Sequence, residues 1–322
     1  MNICLVTPAP PGSRKGNRVT AERWAGLLCE LGHRVEIAIE YRGADCDLLV
    51  ALHAFKSHSS IRRFRDARPS DPLVVGLTGT DLYGDIHVRP DAMESLGLAT
   101  RLVLLQPLGR AVLPAAVRDK ARVIYQSVPL PPRAEPIRSD GFEVCVMGHL
   151  RPVKDPLRTA LAARLLPVAS RIQVLHIGGA LSEELAEQAR AEAAGNRRYH
   201  WLGELPRSEA LGVLSCCRLL SLTSESEGGA NAISEAVVAG VPVISSRIAG
   251  SIGLLGEDYP GYFPVGDTQA LANLLWRAET DTEFYNTLRN CCVRLRPLFD
   301  PAREKQSWED LLRELFPGLE KG

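Results

Sequence analysis

Between residues 218 and 244 the chain runs through an apolar segment (218–222), a loop carrying Gly228-Gly229, an amphipathic stretch ending at Gly240, and a second apolar segment (241–244). This is strand, glycine turn, helix, strand. Amides at a helix start reached through glycines point outward and attract anions, phosphates above all. Glycine also lets a ligand approach the backbone closely. Glu227 and Glu235 stand eight residues apart. At roughly 100° and 1.5 Å per residue their directions would differ by about 80° and their heights by about 12 Å. Glu227 is therefore placed in the loop and Glu235 on the first turns of the helix. A carboxylate among phosphate-binding amides accepts hydroxyls, such as those of a ribose, rather than touching phosphate.

The same alternation fills the rest of the chain. Residues 2–7 are apolar without polar alternation, as a parallel strand buried on both faces requires. A loop rich in Pro, Gly and basic residues (8–18) follows. A helix is predicted over 20–31, with Trp24, Leu27, Leu28 and Leu31 at helical spacing, then a strand over 35–40. No G-x-G-x-x-G follows the first strand, so the dinucleotide fingerprint is missing. Further strands are predicted over 47–52, 73–77, 101–106 and 121–125, and helices over 59–68, 90–96 and 108–116. The loop with Gly16, Asn17 and Arg18 faces the carboxyl edge of this sheet, where α/β proteins bind ligands, and its residues suit a phosphate or a sugar. Thr80 and Asp81 follow the strand 73–77; they either line that edge or cap a helix.

Residues 130–136 are dense in proline and read as an interdomain linker. A fresh series follows: strands over 142–147, 173–177 and 199–202, helices over 157–166, 182–194 (capped at Ser182) and 208–216, then the stretch first described. Residues 245–251 read as a loop, and 268–279, 281–295 and 301–316 as helices. In the last, Trp308, Leu311, Leu312 and Leu315 share a face. The expected class is α/β, with two doubly wound Rossmann-like domains facing across a cleft. The expected domains are 1–133 and 134–300, with 301–322 a terminal helix that either crosses back to the first or stays on its own.

Charge narrows the function. Lys+Arg and Asp+Glu are both 38, so no basic excess supports nucleic-acid binding. No apolar run approaches the roughly 18 residues of a membrane span, and the first apolar run is too short for a signal peptide. No long basic amphipathic helix is evident. Eight cysteines without a C-x-x-C pair read as buried, reduced thiols of a cytoplasmic protein.

Two glutamates separated by seven residues, with Gly-Gly inside and Ala-Gly-Val-Pro-Val-Ile after, resemble the donor-site signature of the GT-B glycosyltransferases of the large retaining family four. Residues 148–154, Gly-His-Leu-Arg-Pro-Val-Lys, resemble that family's Gly-Arg-Leu…Lys element, with Lys154 at the family spacing. The family arginine's place is held by His149, and Arg151 follows two residues on. The resemblance implies a UDP-sugar as co-substrate and no metal or other cofactor. It implies that Lys154 and Arg151 hold the departing pyrophosphate, stabilising its developing charge. Gly228, Gly229, Ala230 and Asn231 would contact pyrophosphate and sugar, Glu227 would orient a sugar hydroxyl, and Glu235 would bind the ribose. His149 and the turn with Gly203 and Leu205 would complete the donor side.

A finer resemblance spans nearly the whole chain. Segments 8–21, 77–83 (Leu-Thr-Gly-Thr-Asp-Leu-Tyr), 125–128 (Tyr-Gln-Ser-Val), 148–156 and 227–231 (Glu-Gly-Gly-Ala-Asn) are similar to those of the selenosugar synthases of selenoneine biosynthesis. It implies transfer from UDP-N-acetylglucosamine or UDP-glucose to selenophosphate, with Gly16, Asn17, Arg18, Thr20, Thr80 and Asp81 on the acceptor side. Selenophosphate is a strong nucleophile and would need no dedicated base. The rivals are a transferase acting on a lipid or saccharide, and a non-catalytic nucleotide-sugar-binding protein.

Overall fold

A computed structural model describes residues 1–129 and 141–318. The predicted linker 130–136 and the boundary at 133 and 134 lie outside the described residues. The chain is α/β, as the sequence predicts, with two compact units. One comprises Met1–Ser127, Glu227–Gly229 and the chain from Asp300; the other comprises Val128–Ser226 and Ala230–Phe299.

The first unit is built on β1 (Asn2–Val6), β2 (Arg34–Ala38), β3 (Leu48–Leu52), β4 (Leu73–Gly76), β5 (Arg101–Leu104) and β6 (Ala121–Val123). They form one parallel sheet in the order β2-β1-β3-β4-β5-β6. Alternate residues feed opposite cores: Ile3, Leu5, Leu48, Val50 and Leu52 on one face, Cys4, Val6, Leu49 and Ala51 on the other. Both faces are covered, which is why the strands are apolar without a break. The neighbours of β1 run to opposite sides of it, so the loops after β1 and β3 flank the switch point where such sheets bind ligands.

The helix Pro301–Leu315 packs in this unit, with Trp308, Leu311 and Leu312 buried among Ile3, Leu5 and Trp24. Trp24 and Trp308 meet edge to face at 4.8 Å. Glu304, 1% exposed, accepts from Trp24 Nε1 (2.9 Å) and Ser127 N (2.7 Å), and Arg23 Nε lies 3.3 Å away. A buried carboxylate is tolerated because donors and a cation surround it.

The second unit carries β7 (Phe142–Met147), β8 (Ile172–Ile177), β9 (Tyr199–Gly203), β10 (Leu219–Leu222), β11 (Val243–Ser246) and β12 (Tyr262–Phe263). Its parallel sheet runs β12-β11-β10-β7-β8-β9. The switch point lies between β7 and β10, bringing together the loops that follow them.

Four sequence expectations are corrected. Residues 16–18 are helix, not loop: Arg18 N and Val19 N bond to Lys15 O, and the helix is Gly16–Glu30. The helix predicted over 108–116 is only Gly109–Val112, because Pro114 has no N–H and holds Leu113 extended (ψ 145°); a 3-10 turn, Ala115–Lys120, follows. Residues 245–251 are not simply loop, since β11 reaches Ser246 and a helix, Ala249–Leu255, begins inside them. The cysteines are all free, but Cys29 is exposed and Cys216 and Cys291 are partly so. No helix among the described residues is long and apolar enough to cross a membrane.

Candidate functional site

In the second unit the loop after β7 is held from several sides. The 3-10 turn Pro152–Lys154 is fixed by Thr223 Oγ1, which donates to Lys154 O and Asp155 O at 2.9 Å each, and by Glu225 N, which donates to Val153 O. Asp155 takes a left-handed conformation (φ 44°), and its carboxylate accepts from Arg158 Nε. Leu150 N donates to Gly179 O. His176, beneath the loop, has Nε2 3.2 Å from Gly148 O and Nδ1 2.8 Å from Tyr199 OH. Burial lowers its pKa to about 4, against the opposing pull of the Gly148 carbonyl, so the ring is neutral. Its Nε2–H donates to Gly148 O and its Nδ1 accepts from the tyrosine.

Predicted residues His149, Arg151 and Lys154 therefore share one pinned loop. Gly148, His149, Lys154, His176, Thr223 and Ser224 line a small cleft. Gly179 N donates to His149 Nδ1 at 3.2 Å, which leaves the ring proton on Nε2. This loop can approach its neighbour only because position 178 is glycine: a Cβ there would lie 2.0 Å from Gly148 O, and its φ is +151°.

From the other side of the switch point comes the helix Asn231–Ala239. No side chain caps it and no acidic residue sits in its first turn. Its first closing bond runs from Ile233 N to Ala230 O, so the amides of Asn231 and Ala232 precede the intrahelical ladder. Asn231 Oδ1 is buried and has no hydrogen-bond partner among the described residues. Glu235 is 4% exposed on this helix, and Arg207 Nη2 stands 2.6 Å from its Oε1. Gly203 ends β9 with φ +70° and accepts from Gly178 N, and Leu205 is partly buried on the turn that leads to Arg207. Arg207 was not anticipated; the only sequence signal was a cation just after the Gly203–Leu205 turn.

Glu227, Gly228 and Gly229 group with the first unit. A Cβ on Gly228 would lie 2.6 Å from the Thr78 carbonyl carbon and 2.7 Å from Gly79 N; one on Gly229 would meet Leu105 Cβ at 2.6 Å. The two glycines are thus required by close packing alone.

Of the predicted acceptor residues, Gly16, Asn17, Arg18 and Thr20 open the helix after β1, whose N-terminus has no side-chain cap and no acidic first turn. Arg18 is bonded to Glu22, and Thr20 Oγ1 to Gln126 Nε2 at 2.7 Å. Asp81 is 0% exposed, and its oxygens accept from Ala54 N, Thr78 N and Gly79 N. The sequence left open whether it caps a helix or lines a site; it is a clamp on the loop after β4, at the start of a π-helical turn, Asp81–Asp85. Thr80 is exposed, with Oγ1 3.1 Å from His53 Nε2. His53, read only as a strand end, is buried at φ 75°. Lys56 N donates to its Nδ1, so its Nε2–H faces Thr80; burial lowers its pKa, opposed by Asp81 at 3.9 Å and Asp85 at 3.8 Å.

Comparison with known proteins bears on the family and the fold. The profile of the family described as "Glycosyl transferases group 1" matches residues 131–291, half of the chain. Among solved structures, Anabaena Alr3699/HepE in complex with UDP and glucose superposes with a TM-score of 0.77 at 19% identity, covering 98% of this chain and 100% of that one. Sucrose-phosphate synthase (tll1590) from Thermosynechococcus elongatus gives 0.80 at 17% identity, covering 99% and 100%. These are GT-B structures, and the fold is theirs.

Proposed function

The chain belongs to the glycosyl transferases group 1 family and is a glycosyltransferase, and from that premise we propose that it transfers the hexosyl group of a UDP-sugar to selenophosphate. UDP-N-acetylglucosamine and UDP-glucose are the candidate donors. Selenium attacks the anomeric carbon, a C–Se bond forms, and the C–O bond to the diphosphate breaks with its electron pair passing to UDP. Water later removes the phosphoryl group from selenium.

The observation that carries the reading is the pinned loop 148–155 beside the uncapped helix Asn231–Ala239, both in the second unit. Lys154 and Arg151 meet the growing negative charge of the diphosphate, assisted by the helix amides. Position matters more than charge alone: the Thr223 bonds fix the turn before substrate arrives, so little reorganisation is needed during reaction. His149 offers an Nε2–H donor where the family has arginine. Glu235, oriented by Arg207, accepts ribose hydroxyls. UDP and UDP-glucose are bound by the HepE structures, which supports the donor class.

The selenophosphate acceptor rests on the motif resemblance and on the first unit's uncapped helix at Gly16, which suits an anion. The test is incubation of the protein with each UDP-sugar, with and without selenophosphate, following UDP by chromatography and selenosugar by mass spectrometry. UDP release that requires selenophosphate is the expected result. Release only with a lipid or saccharide acceptor overturns the acceptor assignment, and tight UDP-sugar binding with no turnover under any condition overturns catalysis.

A further inference from the structure

The first unit holds a buried amide that the scheme above leaves without a task. Gln126 is 3% exposed; its Nε2 lies 2.7 Å from Thr20 Oγ1, and its Oε1 has no hydrogen-bond partner among the described residues. An unmet buried polar atom is costly, and native proteins keep few of them. Something other than the neighbouring side chains is therefore expected to meet it.

The Thr20 hydroxyl can accept from the amide NH2 or donate to the amide oxygen, so the contact admits either orientation of Gln126. A half-turn of the amide exchanges oxygen and nitrogen without changing its shape. Thr20 O–H then donates to the Gln126 oxygen, and the Gln126 NH2 group is left with its hydrogens to give away. An unspent donor calls for an anion or a carbonyl oxygen.

The surroundings favour the anion. Thr20 lies four residues into Gly16–Glu30, a 15-residue helix whose Lys15 cap position makes no side-chain cap bond and whose first turn has no acidic residue. Its first closing bonds come from Arg18 N and Val19 N, so the amides of Gly16 and Asn17 precede them. Gly16 and Thr20, four apart, are on one helix face. Arg23, further along the helix, is engaged with Glu304 and with Ser127 O, and so braces the residue next to Gln126.

We propose that Gln126 is a further acceptor-binding residue, its NH2 group oriented by Thr20 and joining the Gly16 and Asn17 amides to hold a tetrahedral oxyanion. This deepens the acceptor assignment of the proposed function and rests on it. A neutral donor at this place binds the anion without pairing its charge, so the nucleophile keeps its electron density.

The experiment measures binding of inorganic phosphate to the full chain by 31P NMR line broadening, and of UDP by calorimetry, for wild type, Gln126→Glu and Gln126→Met. Near-isosteric glutamate places a like charge against the anion; Gln126→Met removes the donor without a charge and serves should the glutamate variant fold poorly. The expected result is phosphate binding weakened about tenfold or more in Gln126→Glu and several-fold in Gln126→Met, with UDP affinity within about twofold of wild type. Unaltered phosphate binding in the folded variants, or no phosphate binding by wild type, overturns the proposal. The selenophosphate assay separates the two ideas. If wild type does not use selenophosphate yet phosphate binding follows this pattern, the subsite stands and the acceptor identity falls. If wild type turns over selenophosphate and the variants keep its KM, Gln126 falls alone.

Discussion

Arg207 Nη2 lies 2.6 Å from Glu235 Oε1, tying the first residue of the helix Arg207–Cys216 to a carboxylate buried on another helix. The pair sets the direction of Glu235. The Arg207 side chain is 42% exposed, so the contribution to folding is small, at most about 1 kcal/mol after screening by water. The contribution to ligand placement is expected to be larger. Arg207→Gln should raise the KM for the UDP-sugar about tenfold and leave kcat within about twofold, the signature of lost ground-state binding. It should also reduce the preference for UDP over 2′-deoxy-UDP, read by competition. A lowered Tm with unchanged KM and unchanged discrimination would assign Arg207 to scaffolding only.

Lys154→Ala should cost roughly 2–3 kcal/mol of transition-state stabilisation, about 30- to 150-fold in kcat/KM. The backbone of the turn should survive, because Thr223 bonds to the Lys154 and Asp155 carbonyls and not to the lysine side chain. Thr223→Val makes the complementary test: it keeps the cation but frees the turn, and a fall in kcat/KM shows that placement matters as well as charge. Initial rates for both variants, with circular dichroism to verify folding, decide the point.

His176 predicts an acid limb in stability. Its pKa in the folded chain is about 4, against 6.5 for an ordinary histidine, because burial disfavours the cation. Between those values the unfolded chain binds more protons than the native one, so stability is full above about pH 6.5 and falls as pH drops toward 4. The slope approaches 1.4 kcal/mol per pH unit, giving a loss of roughly 3 kcal/mol across the window. His176→Gln should flatten that slope in urea unfolding measured from pH 7 to 4. An identical slope in the variant would place the acid sensitivity elsewhere.

The parts of this molecule visible in the sequence are those set by local pattern. The apolar runs of β1 and β3 announce a sheet covered on both faces, and Ser182, which accepts from Leu185 N, announces its helix. The loop holding Lys154 and the glycine turn at 228–229 carry spacing signals of their own. What stayed hidden depends on distant residues. Asp81 looked equally like a ligand and a cap until three amides from two loops were seen to converge on it. His53, Gln126 and Arg207 have no motif, and their meaning comes from Thr80, Thr20 and Glu235, which lie 27, 106 and 28 residues away in the sequence. The two-residue strand Tyr262–Phe263 is too short to show a period.

Two glycines in the second unit should respond to alanine with opposite sign. Gly212 sits inside the helix Arg207–Cys216 with nothing within 4 Å of an added Cβ, so Gly212→Ala should stabilise by about 0.5–1 kcal/mol through helix propensity and loss of unfolded-state freedom. Gly178 is at φ +151°, a conformation that side chains rarely adopt, and its Cβ would press to 2.0 Å from Gly148 O and 2.9 Å from His149 N. Both obstacles are backbone, so neither can swing aside. Gly178→Ala must push the Gly148–His149 peptide off its seat, where His176 and Gly179 hold it. The expected cost is roughly 2–4 kcal/mol of stability, together with weaker UDP binding because the loop carrying His149 and Lys154 is displaced. Urea melts and UDP calorimetry on the two variants check this. If Gly178→Ala keeps wild-type stability and UDP affinity, the loop after β7 is not held as tightly as its hydrogen bonds indicate, and the preorganised grip on the diphosphate loses its foundation.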